Sequence, residues 1–132
     1  MPAWVVDKTA DALHTLGKTL EGSHILVLGV AYKKNIDDVR ESPGVKILQI
    51  LQDRGAVVCY SDPYVPILRR MREHDLKLAS MDLGAGLLSQ MDCIIVATDH
   101  DAFDYASIQT HAKLIIDTRG RYRRNFENVV KC

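Results

Sequence analysis

Hydrophobic residues along the chain fall into two patterns that alternate from one end to the other. In four places they form short unbroken runs, which are bounded by glycine, proline or polar turn residues. Such runs are typical of strands that are buried on both faces of a parallel sheet. The runs lie at residues 24–29, 56–60, 93–97 and 113–117, and a shorter one lies at 76–79.

Between these runs the hydrophobic residues recur at steps of three and four, as they do on one face of an amphipathic helix. Ser42 followed by Pro43 predicts the start of a helix, because serine caps helix N-termini and proline fits the first turn. Gly55 is the expected C-cap of that helix, and Asp82 is the expected N-cap of a later one. The predicted helices span residues 3–20, 44–54, 66–73, 82–91 and 106–111.

The alternation predicts an α/β fold: a three-layer, Rossmann-like, doubly wound and mostly parallel sheet, preceded by one amphipathic helix. Because crossovers between parallel strands are right-handed, the expected strand order is near 3-2-1-4-5. The first strand-to-helix turn begins with residues 29–33, GVAYK, and lacks the G-x-G-x-x-G fingerprint of dinucleotide-binding domains. We place a seam near residue 21, which divides the chain into a segment 1–20 and an α/β body 21–132.

Length, charge and cysteine count exclude several classes of protein. With 132 residues the chain suits one domain, and its 17 basic and 17 acidic side chains cancel. A net charge of zero argues against bulk electrostatic capture of nucleic acid or of an anionic membrane. No apolar run approaches the ~18 residues of a membrane-spanning helix, and the N-terminus lacks a secretory pattern. Three cysteines without C-x-x-C spacing predict no zinc site and favour a reducing, cytoplasmic location.

Candidate chemistry lies beyond the carboxyl ends of the predicted strands, where ligands bind in open α/β sheets. Lys33 follows the first strand and Arg119 follows the last of the four clear ones. Both are expected near the N-terminus of the helix that begins after Ser42, where free N–H groups favour an anion. Two cations there suit a phosphate or diphosphate. The alternative for each is an ordinary solvated surface cation, which is the interpretation we prefer for Lys34, Arg121, Arg123 and Arg124.

Other strand-end residues have simpler interpretations. Asp62 lies at the end of the second strand, where dinucleotide-binding domains have their ribose-binding acid. Because Pro63 follows it, we prefer a turn-initiating role for Asp62. His100 stands among acidic neighbours, which favours a helix-start residue held by those carboxylates over a general base. Cys59 and Cys93 lie inside apolar strands and are predicted to be inert core thiols.

Several blocks of the sequence resemble one family. Residues 27–43, VLGVAYKKNIDDVRESP, are similar to the signature of the UDP-glucose/GDP-mannose dehydrogenase family in its C-terminal, UDP-binding domain. The later blocks YSDPY (60–64), ATDH (97–100) and DTR (117–119) match in the expected order, and residues 1–6 resemble the end of the family's middle, helical segment. The residues of the first block resemble those of the UDP-N-acetylglucosamine 6-dehydrogenase branch most.

The resemblance implies an NAD-dependent, two-step oxidation of the C6 alcohol of a UDP-sugar, a UDP-N-acetylhexosamine in that branch, to a carboxylate. The family uses a catalytic cysteine, through a thiohemiacetal and a thioester, and no metal. By the same resemblance, Tyr32, Lys33 and Arg119 contact the UDP-sugar. It further implies a cytoplasmic homodimer that acts in polysaccharide biosynthesis.

The departures from the family pattern limit what this chain is expected to do. The NAD-binding domain with its glycine fingerprint, and the middle segment with the catalytic cysteine, have no counterpart in the 132 residues. We therefore expect a piece of a longer enzyme, with no catalytic, NAD-binding or metal residues of its own and no dehydrogenase activity alone.

Two alternatives to this interpretation stay open. One is a stand-alone Rossmann-like module that binds another nucleotide or acyl-CoA. The other is an interaction domain in which Trp4, Val5 and Leu13 of the first helix are exposed and drive self-association.

Overall fold

The structure of the chain, a computed structural model, describes residues 2–31, 33–35, 42–68 and 78–132. Helices and strands alternate along most of it, as the hydrophobic pattern predicts. The helices are α1 (Pro2–Thr15), α2 (Pro43–Asp53), α3 (Ala85–Gln90) and α4 (Tyr105–His111), and the strands are β1 (His24–Leu28), β2 (Val57–Ser61), β3 (Ile67–Leu68), β4 (Leu78–Ala79), β5 (Cys93–Val96), β6 (Ile115–Asp117) and β7 (Val129–Lys131).

The central sheet is parallel throughout and has the order β2-β1-β5-β6-β7. The predicted order 3-2-1-4-5 corresponds to it when the segment at 78–80 is counted as the third strand, because Ser80 forms a parallel bridge with Tyr60 of β2. The small strand β4 itself pairs with β3 in a separate antiparallel hairpin. Strand β7, which the hydrophobic pattern did not predict, extends the far edge of the sheet.

Two hydrophobic layers cover the two faces of this sheet, which confirms the three-layer α/β fold. Residues in a strand point alternately to opposite faces. Accordingly, Ile25 and Val27 of β1 pack with α1 and α2, whereas Leu26 and Leu28 pack with α3 and α4. The unbroken hydrophobic runs therefore reflect burial on both faces, and the carboxyl ends of β1, β5 and β6 lie side by side at one edge.

Helix α1 is shorter than the predicted 3–20 and is packed onto the sheet. It ends at Thr15, and Gly17 then adopts a left-handed φ of 76°. The predicted exposure of Val5 and Leu13 is wrong, because both are fully buried in the core beside α2. Trp4 alone of the three predicted residues is exposed, at 52%.

Two further boundaries differ from prediction. The segment 66–73 was predicted as a helix, but Ile67–Leu68 is a strand, and residues 69–73 lie outside the described ranges. Helix α3 begins at Ala85 after Gly84 and has no side-chain cap, so Asp82 is not its N-cap. Both segments are short, so their local sequence is compatible with a helix, a strand or a loop. Packing against the rest of the protein determines which of these forms.

Helix α2 and the loop after β5 each approach the end of β1 so closely that a glycine is required at the contact. A Cβ on Gly44 of α2 would collide with the backbone carbonyl of Gly29, and a Cβ on Gly29 would collide with Thr98, which follows β5. Ser42 caps the helix as predicted, since its Oγ accepts a hydrogen bond from the Val45 N–H at 3.4 Å. The N-terminus of α2 is thus fixed against the carboxyl edge of the sheet.

A fully buried carboxylate, that of Asp62, joins β2 to the same edge. Its Oδ2 accepts hydrogen bonds from the backbone N–H groups of Val30 (2.8 Å) and Ala31 (3.1 Å), and it lies 2.8 Å from Nε2 of buried His100. Its Oδ1 accepts from the Tyr64 N–H, which confirms the predicted turn role. Burial alone would raise the pKa of Asp62, but these hydrogen bonds outweigh it and lower the pKa.

The glycine contact is testable by substitution. We expect Gly44→Ala to reduce the free energy of unfolding by about 1–3 kcal/mol, because the added methyl group overpacks the contact with β1. Gly86→Ala is the matched control on α3, where an added Cβ would meet nothing within 4 Å, and it should stabilise by up to about 1 kcal/mol. Urea unfolding measures both, and equal effects of the two substitutions would contradict the close approach.

The buried carboxylate is testable through acid stability. Asp62→Asn places amide hydrogens among donors, so we expect a loss of about 3 kcal/mol at neutral pH. The folded pKa of Asp62 lies below the unfolded value of about 3.9. Its contribution is therefore complete above that value and is lost as pH falls through the folded pKa.

The urea midpoints of the wild type and of Asp62→Asn should therefore converge as pH falls below about 4. Asp53→Asn, at an exposed site on α2, is the control, and it should shift the midpoint little at any pH. Parallel curves for the wild type and Asp62→Asn would contradict the role of the carboxylate.

Candidate functional site

Four loops meet at the carboxyl edge of the sheet, as the strand-end rule predicts. They follow β1, β2, β5 and β6, and hydrogen bonds connect them in a fixed arrangement. Thr98 after β5 donates from its Oγ1 to the Ala31 carbonyl after β1 at 2.7 Å. Thr118 after β6 donates from its Oγ1 to the Val96 carbonyl of β5 at 2.6 Å. The loops after β1, β5 and β6 therefore form one continuous surface.

Arg119 is held at the centre of this surface by its own side chain. Its Nε donates to the Ala97 carbonyl at 2.8 Å, and its backbone N–H donates to Oδ1 of the buried Asp117 at 3.0 Å. Ala97 in turn donates to the carbonyl of Leu28 at the end of β1. The hydrogen bond at Nε fixes the position of the guanidinium. Because the residue as a whole is exposed, solvent or a ligand can reach its terminal N–H groups.

Lys33 lies on the neighbouring loop after β1 and is exposed. The structure thus places Lys33 and Arg119 at the same edge of the sheet, beside the capped N-terminus of α2. Tyr32 lies outside the described residues, as do Asp37, Asp38, Arg40 and Glu41, for which we predicted ion pairs and caps.

His100 is fully buried beneath this edge, and its partners fix the tautomer. The Asn35 backbone N–H donates to Nδ1 at 2.7 Å, so Nδ1 is an acceptor and the ring proton belongs on Nε2, which donates to Asp62. We predicted that a carboxylate holds His100, and one does. The partner is Asp62 on the distant strand β2, however, and not an acidic neighbour in sequence.

Asn35 fastens the β1 loop to the β5 loop through its side chain as well. Its Oδ1 accepts from the Asp101 N–H at 3.1 Å, and its Nδ2 donates to the Asp101 carboxylate at 2.9 Å. Asn35 has a left-handed φ of 63°, a conformation that asparagine tolerates better than most residues. The strand-end rule includes Asn35 in the segment that follows the first strand, but it assigns this residue no role.

Arg121 is not mainly solvated, contrary to prediction. Its guanidinium donates to Asp101 at 2.9 Å and lies 4.5 Å from the centre of the Tyr105 ring. The hydrogen bond to Asp101 raises the pKa of Arg121, and the pKa of Asp101 is lowered first by its hydrogen bond from Asn35 and then by Arg121. Arg121 is therefore committed to structure, which distinguishes it from Lys33 and Arg119.

The cysteines offer no nucleophile at this edge. Burial raises the pKa of the thiols of Cys59, Cys93 and Cys132. Cys93 is fully buried inside β5 and Cys59 is half-buried, as predicted for core thiols. A thiol with a raised pKa is a poor source of the thiolate that attacks a carbonyl carbon.

The described ranges also contain two clefts that neither Lys33 nor Arg119 lines. One, of about 320 Å³, lies between the end of β2 and helices α3 and α4, and its lining includes Met81, Phe103 and Ser107. The other, of about 410 Å³, has Arg121, Arg123 and Arg124 in its lining. Among the described residues no group of three metal-ligating side chains comes together. Within those ranges there is also no helix long and apolar enough to cross a membrane.

Comparison with known proteins gives a consistent result. The family model described as "UDP-glucose/GDP-mannose dehydrogenase family, UDP binding domain" matches residues 26–124. The chain is 32% identical to the UDP-N-acetyl-D-mannosamine dehydrogenase of Methanococcus maripaludis strain C7, over 95% of this chain and 29% of that protein. It is 33% identical to the UDP-glucose 6-dehydrogenase of Rickettsia bellii, over 89% of this chain and 28% of that protein.

Among solved structures, the UDP-D-ManNAc dehydrogenase of Pyrococcus horikoshii superimposes with a TM-score of 0.78 at 29% identity, over 99% of this chain and 30% of that one. The chain thus spans just under a third of the length of these relatives. The matched residues include most of β1, all of α2, β2, β5 and β6, and Arg119, so the family match covers four of the five strands of the sheet and the edge described above. The chain belongs to the UDP-glucose/GDP-mannose dehydrogenase family and contains its UDP-binding domain.

Proposed function

We propose that this chain binds the UDP part of a nucleotide sugar within an NAD-dependent UDP-sugar 6-dehydrogenase. The observation that carries the proposal is the position of Arg119. Its Nε is anchored on Ala97, and its terminal N–H groups lie at the edge that also carries Lys33 and the N-terminus of α2. This combination of a planar guanidinium and an ammonium group suits a diphosphate.

Each cation has a distinct role in this proposal. Arg119 is oriented before the ligand arrives, so less conformational entropy is lost when its N–H groups meet phosphate oxygens. Lys33 sits on a flexible stem and neutralises charge as a point cation. We assign Tyr32, beside Lys33, to the same surface on the strength of the family resemblance.

The proposed reaction of the whole enzyme is oxidation of the sugar C6 alcohol to a carboxylate, with two molecules of NAD reduced in two steps. This chain's contribution is to hold the nucleotide, which fixes the sugar relative to catalytic groups supplied elsewhere. Relatives are named for UDP-N-acetyl-D-mannosamine and for UDP-glucose, and we propose a UDP-N-acetylhexosamine as substrate. We further propose a cytoplasmic homodimer as the assembled form, with the seam near residue 21 separating the connecting segment from the binding domain.

The alternative of a stand-alone adenine-nucleotide module is less favoured. In dinucleotide domains an acidic residue after the second strand binds the ribose hydroxyls. Asp62 occupies that place here, but it is fully buried and its two oxygens already accept from Val30, Ala31 and Tyr64 and contact His100. A ribose could not reach it without breaking these bonds.

Calorimetric titration with UDP tests the binding role. We expect Lys33→Ala and Arg119→Ala each to weaken UDP binding about tenfold or more, since a hydrogen bond to a charged group contributes about 1.5–3 kcal/mol. Lys113→Ala removes the same charge near the amino end of β6, on the opposite edge, and is expected to leave the affinity unchanged. ADP that binds as tightly as UDP, or equal effects of all three substitutions, would favour the alternative module.

A second test concerns activity. We expect the purified 132-residue chain to produce no NADH from UDP-sugars and NAD, because the family's NAD-binding and catalytic segments have no counterpart in it and burial raises the pKa of its cysteine thiols. NADH absorbance measures the reaction, with a full-length family member as positive control. Sustained, UDP-sugar-dependent NADH formation by the chain alone would contradict this expectation.

A further inference from the structure

The loop that carries Lys33 is attached to the sheet by an unusual connection. The Asn35 backbone N–H donates to Nδ1 of His100, and Nε2 of His100 meets the Asp62 carboxylate. Both side chains of this connection are fully buried, although neither reaches the surface where a ligand would bind. We refer to Asp62, His100 and the Asn35 backbone as the relay.

Packing leaves His100 little freedom to move. Its ring lies 4.8 Å from the Tyr64 ring and 5.6 Å from the Phe103 ring, measured between ring centres. Its own carbonyl accepts a hydrogen bond from the Tyr105 hydroxyl at 2.7 Å. The imidazole therefore presents Nδ1 in a fixed direction, and that direction points at the β1 loop.

The chemistry of the relay is directional. Three backbone N–H groups donate to the Asp62 carboxylate, which lowers its pKa and keeps it an acceptor, so Nε2 of His100 must be the donor in their contact. A proton on Nε2 leaves Nδ1 as an acceptor, which then selects the Asn35 N–H. The carboxylate on β2 thus specifies, through one ring, where the backbone lies two residues beyond Lys33.

We propose that Asp62 and His100 are positioning residues for nucleotide binding, which hold the β1 loop so that Lys33 meets the diphosphate. The proposal rests on the proposed function for its ligand. It deepens that function by assigning part of the binding energy to two buried side chains that do not touch the nucleotide.

Two substitutions of His100 separate the two ends of the relay. In His100→Asn the amide oxygen replaces Nδ1 as acceptor for Asn35, and the contact to Asp62 is lost. In His100→Gln the longer amide keeps a donor for Asp62, and the acceptor for Asn35 is lost. His111→Gln is the matched control, because the His111 ring lies within hydrogen-bonding distance of Ser107 of its own helix and away from the loops at the carboxyl edge.

The first measurement needs no ligand. By NMR we expect the Asn35 amide to be protected from hydrogen exchange in the wild type and in His100→Asn, and to lose protection in His100→Gln. The imidazole nitrogen shifts of wild-type His100 should show an unprotonated Nδ1 and a protonated Nε2. A wild-type Asn35 amide that exchanges freely, or the opposite tautomer, would overturn the relay whether or not UDP binds.

The second measurement is UDP affinity by calorimetry, with Lys33→Ala as a second background. We expect His100→Gln, which loses the contact to Asn35, to weaken binding about tenfold. His100→Asn keeps that contact and loses only the one to Asp62, so it should weaken binding by a smaller factor, and His111→Gln should bind as the wild type does. In the Lys33→Ala background the effect of His100→Gln should vanish, whereas with Arg119→Ala the two effects should add. Such selective coupling is not expected from a merely structural role.

The outcomes distinguish failure of this proposal from failure of the proposed function. If the wild type binds UDP and all His100 variants bind it equally, or if the coupling to Lys33 is absent, the positioning role is overturned. If the wild type binds no UDP at millimolar ligand while the exchange and tautomer results hold, the proposed binding function of this chain is overturned, and the relay's ligand role falls with it.

Discussion

One buried carboxylate holds together three of the four loops at the carboxyl edge of the sheet. Asp62 stands at the end of β2, and donors reach it from the loops after β1, β2 and β5. An ionised carboxylate is stable inside a protein only when hydrogen bonds replace its hydration. The requirement acts in both directions: the donors keep Asp62 charged, and Asp62 keeps three loops together. The close contact of Gly44 with Gly29 also holds the start of α2 against the end of β1.

On this framework the two exposed cations differ in how much the fold constrains them. Arg119 is tied by its own Nε to the backbone of β5. Lys33 has a long flexible stem, so its position depends on the backbone that carries it. In the proposed function, phosphate binding by Lys33 therefore depends more on the position of the backbone than phosphate binding by Arg119 does. Two hydrogen bonds between Asn35 and Asp101 hold the backbone that carries Lys33.

Sequence patterns predicted the fold well where burial leaves a strong signal. The four unbroken apolar runs became β1, β2, β5 and β6, and Ser42-Pro43 began α2. Prediction failed at Ile67–Leu68 and at the start of α3, where short segments take their structure from neighbours that are distant in sequence. The tail strand β7 was missed for the same reason, since three residues carry no periodicity that could reveal them.

The candidate site divides in the same way. The strand-end rule was sufficient to predict that Lys33 and Arg119 lie at one edge of the sheet, because topology alone determines which loops are neighbours. It could not reveal the pairing of His100 with Asp62, which are 38 residues apart and meet only after three strands have aligned. The acidic residues near His100 in sequence suggested the wrong partner for it. The ion pair of Arg121 with Asp101 was not predicted either, since these residues also lie far apart in sequence.

The first helix has a consequence for how the chain unfolds. Val5, Val6 and Leu13 belong to the same continuous core as Ile25, Val27 and Leu48, although the predicted seam near residue 21 lies between α1 and the sheet. A core shared in this way makes α1 and the α/β body a single cooperative unit. A chain that began at residue 21 would present a bare apolar face on α2 to water. The boundary that the sequence pattern predicts is therefore not a boundary of the hydrophobic core.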